Sequence, residues 1–263
     1  MKTAVCVKQV PDTTRVEIDP HTRTLKREGV ESILNPLDLF AVEQALRFRE
    51  TLGGEITALT MGPPQAEKML REVLALGVDH ALLVCGREFA GSDTWATSLA
   101  LAHALQRTGP WDLILCGKQA IDGDTAHVGP ELAALLDLPQ VTFVRKVLEV
   151  TAEAAVVERL TDAGSEVIKT PLPAVLTVLK DLNEPRLPNL KDLGRARFAP
   201  VRRLGAEELN LSADRIGLEG SPTRVVDLFG VKSERQCAMF EENHREGIDA
   251  LLRFLDCEGL LKG

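Results

Sequence analysis

Residues suited to binding an anion follow one apolar strand pattern in the middle of the chain. Asp112 to Gly117 is apolar and strand-like, and the next segment, Lys118 to Pro130, is rich in Gly, Asp and Thr. In open α/β sheets, ligands bind beyond the carboxyl ends of the strands, where the following helix begins. Backbone N–H groups and the positive end of a helix dipole in such a loop favour phosphate. The residues leave a second reading open, in which Asp122 and Asp124 only form turns and Asp124 or Thr125 caps the helix.

Three other segments place small polar residues after predicted strands. They are Asn35 to Asp38, Met61 to Pro63 and Gly91 to Thr94. Because the carboxyl ends of parallel strands lie at one edge of a sheet, we expect all four segments to converge there. Four such loops predict an elongated mononucleotide or dinucleotide site. Cys6, in the first predicted strand, lies near the same edge.

The usual signatures of catalysis are missing from the sequence. It contains no G-x-G-x-x-G, no G-x-x-x-x-G-K-[ST], no H-E-x-x-H and no G-x-S-x-G. These absences argue against a nicotinamide dehydrogenase, a P-loop NTPase, a zinc hydrolase and a serine hydrolase. The histidines are scattered without the spacing of metal ligands. We therefore predict no metal site and no catalytic side chain.

Strand and helix patterns alternate along the first part of the chain and must position these loops. Helices are predicted from the N-terminal signal Asn35-Pro36-Leu37-Asp38 to about Leu52, over Gln65 to Leu76 and over Ser92 to Arg107. The intervening strands are Thr3 to Val7, Glu55 to Thr60, His80 to Cys85, Asp112 to Gly117 and Val141 to Val150. The alternation predicts an α/β fold with a Rossmann-like, open, mostly parallel sheet and helices on both faces.

The pattern changes in the second half of the chain. Ala154 to Leu160, Glu166 to Thr170 and Ala174 to Leu179 predict a β-hairpin region, and Arg15 to Arg27 predicts another small hairpin near the start. Lys180 to Arg203 carries seven Lys or Arg, three acids and three prolines. That composition predicts an extended, exposed arm without a regular helix or a central strand. An amphipathic helix is predicted near Glu234 to Cys257.

Composition excludes several classes of partner. The chain has 263 residues and a net charge of −8, which argues against nucleic-acid binding because phosphate neutralisation needs clustered Lys and Arg. The apolar runs are too short to span a bilayer, so we expect no membrane anchor. The strand pattern begins directly after Met1, without a secretory signal, which predicts a cytoplasmic protein.

The same segments, in this order, resemble the beta (small) subunit of electron transfer flavoproteins. The resemblance covers the whole chain and is most specific in Gly117-Lys118-Gln119-Ala120-Ile121-Asp122 and in Asn183-Glu184-Pro185-Arg186. It also includes Val5-Cys6-Val7-Lys8-Gln9-Val10-Pro11, Asn35-Pro36, Met61-Gly62-Pro63 and Ala75-Leu76-Gly77-Val78-Asp79. His127 stands where relatives commonly have Gln, so one cofactor hydrogen bond would depend on pH.

The resemblance implies a heterodimer with an alpha subunit that carries its own FAD. In ordinary members the pocket of the beta subunit holds structural AMP, and in electron-bifurcating members it holds a second FAD that takes a hydride from NADH and divides its two electrons. The family's nucleotide contacts fall, by position, on Cys6, Asn35, Pro36, Leu37, Asp38, Met61, Asp122, Gly123, Asp124, Thr125, Ala126, His127, Val128, Gly129 and Pro130.

Three segments resemble the bifurcating members. Phe89 to Ser98 resembles their flavin-side segment, and Arg27 to Leu34 and Gly220 to Val226 point the same way. The cofactor-binding residues there are Gly91, Ser92, Asp93, Thr94, Ala96 and Thr97. The resemblance then implies electron flow from NADH to an acyl-CoA dehydrogenase-type partner and to a low-potential acceptor such as ferredoxin or flavodoxin.

Two alternatives are carried forward. One is a non-bifurcating subunit that binds AMP and relays electrons from acyl-CoA dehydrogenases. The other is an adenine-nucleotide hydrolase or stress protein, which would need a Gly- and Ser-rich loop after the first strand, where this chain has Gln9 to Thr14.

The resemblance also assigns a docking segment. Its residues are Asn183, Glu184, Pro185, Arg186, Leu187 and Leu190, with Leu187 or Leu190 as the apolar anchor. We accordingly predict an α/β nucleotide- or flavin-binding domain over 1–182. A partner-recognition arm and a C-terminal segment that packs on the alpha subunit occupy 183–263.

Overall fold

The computed structural model describes residues 1–12, 32–227, 239–240 and 244–260. The predicted hairpin Arg15 to Arg27 and most of the segment Arg27 to Leu34 lie outside them, as does most of 228–243. Two compact units are present, Met1–Asp227 and Leu228–Gly263. No helix in the described ranges is both long enough and apolar enough to cross a bilayer.

The first unit is built on a nine-stranded sheet with the order β11-β5-β4-β1-β6-β10-β7-β8-β9. Its strands are β1 Lys2–Cys6, β4 Glu55–Met61, β5 His80–Val84, β6 Leu113–Gly117, β7 Gln140–Val150, β8 Ala154–Thr161, β9 Gly164–Pro171, β10 Ala174–Val178 and β11 Val201–Leu204. All neighbours from β11 to β7 are parallel, and β7, β8 and β9 form an antiparallel meander. The short strands β2 Gln9–Pro11 and β3 Ser32–Leu34 pair separately. The α/β prediction is confirmed, and β7, β8 and β9 form hairpins as expected. The assignment of Ala174 to Leu179 to the hairpin region was wrong, because β10 lies between β6 and β7 and pairs with both in parallel.

Helices cover both faces of the sheet. They are α1 Pro36–Leu52, α2 Ala66–Ala75, α3 Thr94–Thr108, α4 Val128–Leu136 and α5 Leu190–Phe198. Alternate residues of β1 face the two sides of the sheet. Val5 packs with α1 and α2 on one side, whereas Ala4 and Cys6 pack with α3 and α4 on the other. The strands are buried on both faces, which is why they read as continuous apolar runs.

The basic segment is more ordered than its composition indicated. We expected no regular helix over Lys180 to Arg203, but α5 occupies Leu190–Phe198 and β11 adds a parallel edge strand beside β5. Asn189 caps α5 by accepting the Asp192 N–H at 2.8 Å. The three prolines lie outside the helix. They therefore bracket the helix rather than interrupt it.

The second unit contains α6, His244–Cys257, whose apolar face includes the exposed residues Ile248, Leu251 and Phe254. This confirms the C-terminal helix for the described part of its predicted range.

Asn35, in the first unit, differs from its predicted role as a helix cap. It occupies the N-cap position of α1, yet its side chain makes no capping hydrogen bond and reaches another loop instead.

Candidate functional site

A cavity of about 370 Å³ opens at the carboxyl ends of the parallel strands. Cys6 of β1 and Cys116 of β6 are direct neighbours in the sheet and both line this cavity. The chain runs from β1 outward to β4 and β5 on one side and returns with β6 on the other side. This reversal of strand order is the topological switch point, where open α/β sheets bind ligands.

All four polar loops contribute residues to the cavity wall. The described residues that line it are Cys6, Val7, Lys8, Asn35, Asp38, Thr60, Met61, Ser92, Asp93, Thr94, Thr97, Leu101, Cys116, Gly117, Lys118, Gln119, Ala120, Gly123, Thr125, Ala126, His127, Val128 and Gly129. The volume lies in the usual range for a small-molecule site.

Asn35 joins two of these segments. It is 1% exposed, and its Nδ2 donates to Asp38 Oδ1 at 2.8 Å and to the Gln119 carbonyl at 2.9 Å. Its Oδ1 accepts the Ile121 N–H at 3.2 Å. Both amide hydrogens of Asn35 therefore have protein partners. The residue positions the loop that begins at Lys118 rather than presenting its amide to a ligand.

Residues 122–127 have an unusual backbone conformation. Asp124 and Ala126 have φ values of 53° and 57°, in the left-handed region that non-glycine residues seldom adopt. Alternation of right- and left-handed residues is the backbone pattern of an anion-binding nest. The Asp124 N–H itself donates to the Ala120 carbonyl at 2.8 Å. Strain of this kind is retained at functional sites. We name residues 122–127 the cradle loop.

The N-termini of α3 and α4, both beside the cavity, differ. Asp93 caps α3 by accepting the Ala96 N–H at 3.1 Å, so for Asp93 the capping role is observed. His127 precedes α4 and makes no side-chain capping bond. Among the described side chains none caps α4, so its first N–H groups and its positive dipole end remain for a ligand. The cradle loop leads directly into this helix end.

Three glycines line the cavity and differ in the space around them. A Cβ on Gly117 would lie 2.3 Å from Asp38 Oδ1 and 2.8 Å from the Leu37 carbonyl carbon. A Cβ on Gly129 would lie 2.4 Å from Thr177 Cγ2, so this glycine allows α4 to approach β10. Gly123 has open space around it and no positive φ. A side chain at Gly123 would therefore cause no backbone strain.

A strap formed by residues 216–223 holds the N-terminus of α3. The Gly217 N–H donates to Ser92 Oγ at 3.0 Å, and the Asp93 N–H donates to Ser221 Oγ at 2.8 Å. Thr223 donates from both its N–H and its hydroxyl to Asp93 Oδ2, at 2.9 and 2.8 Å. Burial raises the pKa of Asp93, but these hydrogen bonds outweigh it and hold the pKa below its ordinary value.

Glu131, in α4, connects this helix to α3. Thr94 Oγ1 donates to its Oε1 at 3.0 Å and Ser98 Oγ donates to its Oε2 at 2.8 Å. The hydroxyl hydrogen of Thr94 is therefore directed at Glu131. Thr97 lines the cavity from the same helix.

The charged groups at the cavity include an ion pair and a buried carboxyl. Lys8 Nζ lies 2.7 Å from Asp122 Oδ1 at the rim. Asp38 is 5% exposed, and its burial raises the pKa of its carboxyl to about 7, against the lowering effect of hydrogen bonds from Asn35 and from the Lys8 backbone. A hydrogen bond with Cys6 and burial raise the pKa of the Cys116 thiol. Cys116 is therefore a neutral thiol in the cavity floor.

Comparison with known proteins identifies this arrangement. Residues 22–209 match the model of the electron transfer flavoprotein domain. The chain belongs to the electron transfer flavoprotein family. It is 47% identical over 97% of its length to the electron transfer flavoprotein subunit beta of Thermoanaerobacterium thermosaccharolyticum, of which it covers 98%.

Two further relatives are similar over most of the chain. The chain is 45% identical to Protein FixA of Sinorhizobium fredii, over 91% of the chain and 86% of that protein. It is 47% identical to the caffeyl-CoA reductase-Etf complex subunit CarD of Acetobacterium woodii, over 87% of both chains. The resemblance inferred from the sequence is confirmed, and the flavoprotein has a role in electron transfer.

The structure separates the predicted cofactor-binding residues of this flavoprotein into two groups. Twelve line the cavity directly: Cys6, Asn35, Asp38, Met61, Ser92, Asp93, Thr94, Thr97, Gly123, Thr125, Ala126 and His127. Val128 and Gly129 line it at the start of α4. Pro36, Leu37, Gly91, Ala96, Asp122, Asp124 and Pro130 lie in the same segments without forming its wall. For both groups, the assignment to cofactor binding stays a prediction.

Sequence reasoning missed several residues of the cavity. Lys8, Gln119 and Cys116 line it, although none of them is among the predicted cofactor-binding residues. Lys8 follows β1 directly at the switch point, so its position relative to Cys6 was a usable signal. Leu101 reaches the wall from the second turn of α3, where it reads only as part of an apolar helix.

The predicted docking segment packs on α1. Asn183 Nδ2 donates to the Phe40 carbonyl at 3.0 Å, and Arg186 Nε lies 2.8 Å from Glu43 Oε2. The next residues project outward, with Leu187 and Leu190 each 88% exposed. The structure thus holds the start of this segment by a buried ion pair and leaves two leucines open to solvent.

Proposed function

We propose that this flavoprotein is the beta subunit of a heterodimer and that its cavity binds FAD in an electron-bifurcating complex. The observation that carries the proposal is the meeting of four polar loops in one cavity at the switch point of the sheet. When bound there, a flavin would supply hydride acceptance from NADH and one-electron transfer, chemistry that amino-acid side chains do not provide.

The donor set fits a flavin nucleotide. The cradle loop and the uncapped start of α4 supply backbone N–H groups for the diphosphate. Leu101 and Met61 supply apolar wall, and Thr97 supplies a hydroxyl on the α3 side. The protein's part is to bind the nucleotide, orient it and restrict its access to water.

Two features favour FAD over AMP. The cavity wall extends from the cradle loop to the start of α3, beyond what a phosphate cradle needs. The strap at residues 216–223 fixes that second end through Ser92 and Asp93. The relative CarD belongs to a reductase-Etf complex by its printed name. The alternative is a non-bifurcating beta subunit in which the same cradle holds structural AMP and the α3 end has no ligand.

Nucleotide content is the direct test. We expect the intact heterodimer, purified after co-expression with its alpha subunit, to contain two FAD and no AMP. Acid extraction and chromatography of the released nucleotides measure this ratio. One FAD and one AMP per heterodimer would contradict the bifurcating assignment and support the alternative.

We propose that the exposed leucines dock an acyl-CoA dehydrogenase-type partner. Arg186 is fixed to Glu43, so the segment that follows it is presented in a restricted conformation, which lowers the entropic cost of docking. An exposed apolar anchor surrounded by polar side chains is the usual form of an interaction hot spot. The low-potential partner would be a ferredoxin or a flavodoxin. The exposed apolar face of α6 would pack on the alpha subunit.

Truncation of the anchor gives the second prediction. Leu187→Ala or Leu190→Ala should slow electron delivery to the dehydrogenase by at least about tenfold, the usual effect of losing a hot-spot side chain. Stopped-flow transfer rates measure this, and reduction of the heterodimer by NADH serves as the control that should stay unchanged. Wild-type transfer by both single variants and by the double variant would show that docking occurs elsewhere.

A further inference from the structure

Asp38 is a buried carboxyl that joins three segments at the base of the cavity. It lies in the first turn of α1. Its Oδ2 accepts the Lys8 N–H at 2.8 Å, and its Oδ1 accepts Asn35 Nδ2 at 2.8 Å. A further hydrogen bond comes from the Gly117 backbone. The ends of β1 and β6 and the start of α1 are therefore tied to one side chain.

The effect of Asp38 extends to the cradle loop through Asn35. Because the carboxylate only accepts, Asn35 must turn its Nδ2 toward Asp38, and its Oδ1 then faces the Ile121 N–H. The second hydrogen on Nδ2 holds the Gln119 carbonyl. Residues 119 and 121 lead directly into the cradle loop. The orientation of one buried amide, set by Asp38, thus fixes where that loop begins.

We propose that Asp38 is a positioning residue whose carboxylate holds the cradle loop in its nucleotide-binding form, so that nucleotide affinity falls when this carboxylate takes up a proton. The inference rests on the proposed function of the cavity. It adds that the protonation state of Asp38 controls nucleotide affinity, whichever nucleotide the cavity binds.

The titration falls in the neutral range. Burial raises the pKa of Asp38 to about 7. A proton on the carboxyl removes its charge and weakens the charge-assisted hydrogen bonds from Lys8, Asn35 and Gly117. The other titratable groups packed around Asp38 are the thiols of Cys6 and Cys116 and the amine of Lys8, which is held by Asp122.

Two other side chains in the cavity that can carry a positive charge are Lys118 and His127. A proton on His127 would strengthen the binding of an anion. Its effect on nucleotide affinity is therefore opposite to that of a proton on Asp38. The experiment therefore uses a His127→Gln background, so that the remaining pH dependence belongs to Asp38. FAD is a suitable probe because its diphosphate stays ionised throughout the range tested.

The test measures FAD affinity of the beta site in the heterodimer at about pH 6 and about pH 8. If only the ionised form binds well, affinity should fall roughly tenfold toward about pH 6, in proportion to the ionised fraction. Asp38→Asn should bind weakly at both pH values and lose this dependence. Asp79→Asn is the matched control. Its carboxylate likewise accepts a backbone N–H, from Ile56 at 2.9 Å, but lies before β5 at the opposite edge of the sheet.

Wild-type affinity in Asp38→Asn, or affinity that is constant or rises toward low pH in the background protein, would overturn the inference. Amide exchange of Ile121 keeps the test independent of whether Asp38→Asn folds. In the protein with Asp38 intact, this N–H should lose protection at about pH 6 after correction for the intrinsic exchange rate, and unchanged protection would also overturn the inference. Failure of that protein to bind FAD or AMP at any pH would instead reject the proposed function.

Discussion

Gly123→Val is expected to remove nucleotide from the beta site while leaving the fold intact. Gly123 lines the cavity, and a Cβ there would meet no atom of the protein within 4 Å. Its backbone is not in the left-handed region, so valine fits the free chain without strain. A ligand that needs close approach to the cradle backbone would meet the new side chain. We expect the affinity for the nucleotide to fall at least tenfold, which corresponds to about 1.4 kcal/mol of binding free energy or more.

Nucleotide content per heterodimer and urea denaturation check this expectation together. Gly194→Val is the matched control, since Gly194 also has open space and no positive φ but lies in α5, outside the cavity wall. Gly129→Ala should behave differently and cost about 1–3 kcal/mol of stability, because its Cβ would overlap the buried Thr177 side chain. Full nucleotide retention in Gly123→Val would show that the loop is only a turn before α4.

The position of the site could be predicted from sequence because it follows from strand direction. Three of the four polar loops follow β4, β5 and β6, and parallel strands bring their carboxyl ends to one edge. The fourth, Asn35 to Asp38, follows β3, which lies outside the parallel sheet, so strand direction does not account for its place. The hydrogen bonds that connect the loops of the site could not be predicted. Asn35 precedes Pro36 and reads as a helix cap. Its actual partners, Gln119 and Ile121, are 84 and 86 residues away in sequence.

The basic segment shows a different limit. Seven cations and three prolines outweighed a shorter signal in the same residues, the Asn189-x-x-Asp192 cap followed by Leu193 and Ala196. Leu193 and Ala196 face α2, and Arg195 donates to the Val78 carbonyl at 2.8 Å. The composition correctly predicted that much of this segment is exposed. The helix depends on tertiary contacts with α2, which composition does not report.

Asp38 illustrates why a polar residue in a core face is informative. Its pKa is raised from 3.8 to about 7, so the folded protein binds a proton more readily than the unfolded chain. The stabilising effect of this proton is complete below about pH 4 and is lost as the pH rises through about 7. At neutral pH the ionised carboxylate therefore lowers stability. Local conflicts of this kind concentrate at functional sites, which is consistent with a role for Asp38 in arranging the cavity.

Removal of the Arg186 guanidinium is expected to destabilise the flavoprotein. Arg186 lies 2.8 Å from Glu43 Oε2 and is paired with Glu50, and the Glu43 side chain is only 5% exposed. Arg186→Ala would leave this carboxylate with Arg47 as its remaining charged partner. Breaking a buried pair costs about 3–5 kcal/mol. Arg186 itself is 34% exposed and Arg47 remains, so we expect about 2 kcal/mol.

The sign of the effect with pH separates this ion pair from a loss of packing. Burial raises the pKa of Glu43, but hydrogen bonds from Arg186 and Arg47 outweigh it and hold the pKa below 4.5. The contribution of the pair is therefore present above about pH 4.5 and is lost as the pH falls below it. Urea denaturation should show a difference between wild type and Arg186→Ala that is largest near neutral pH and smaller in acid. Adding Glu43→Gln to Arg186→Ala should recover part of the lost stability, because the unpaired buried charge is gone. A difference that does not change with pH, together with a double variant no more stable than Arg186→Ala, would mean that the Arg186 side chain acts through its apolar contacts with α1.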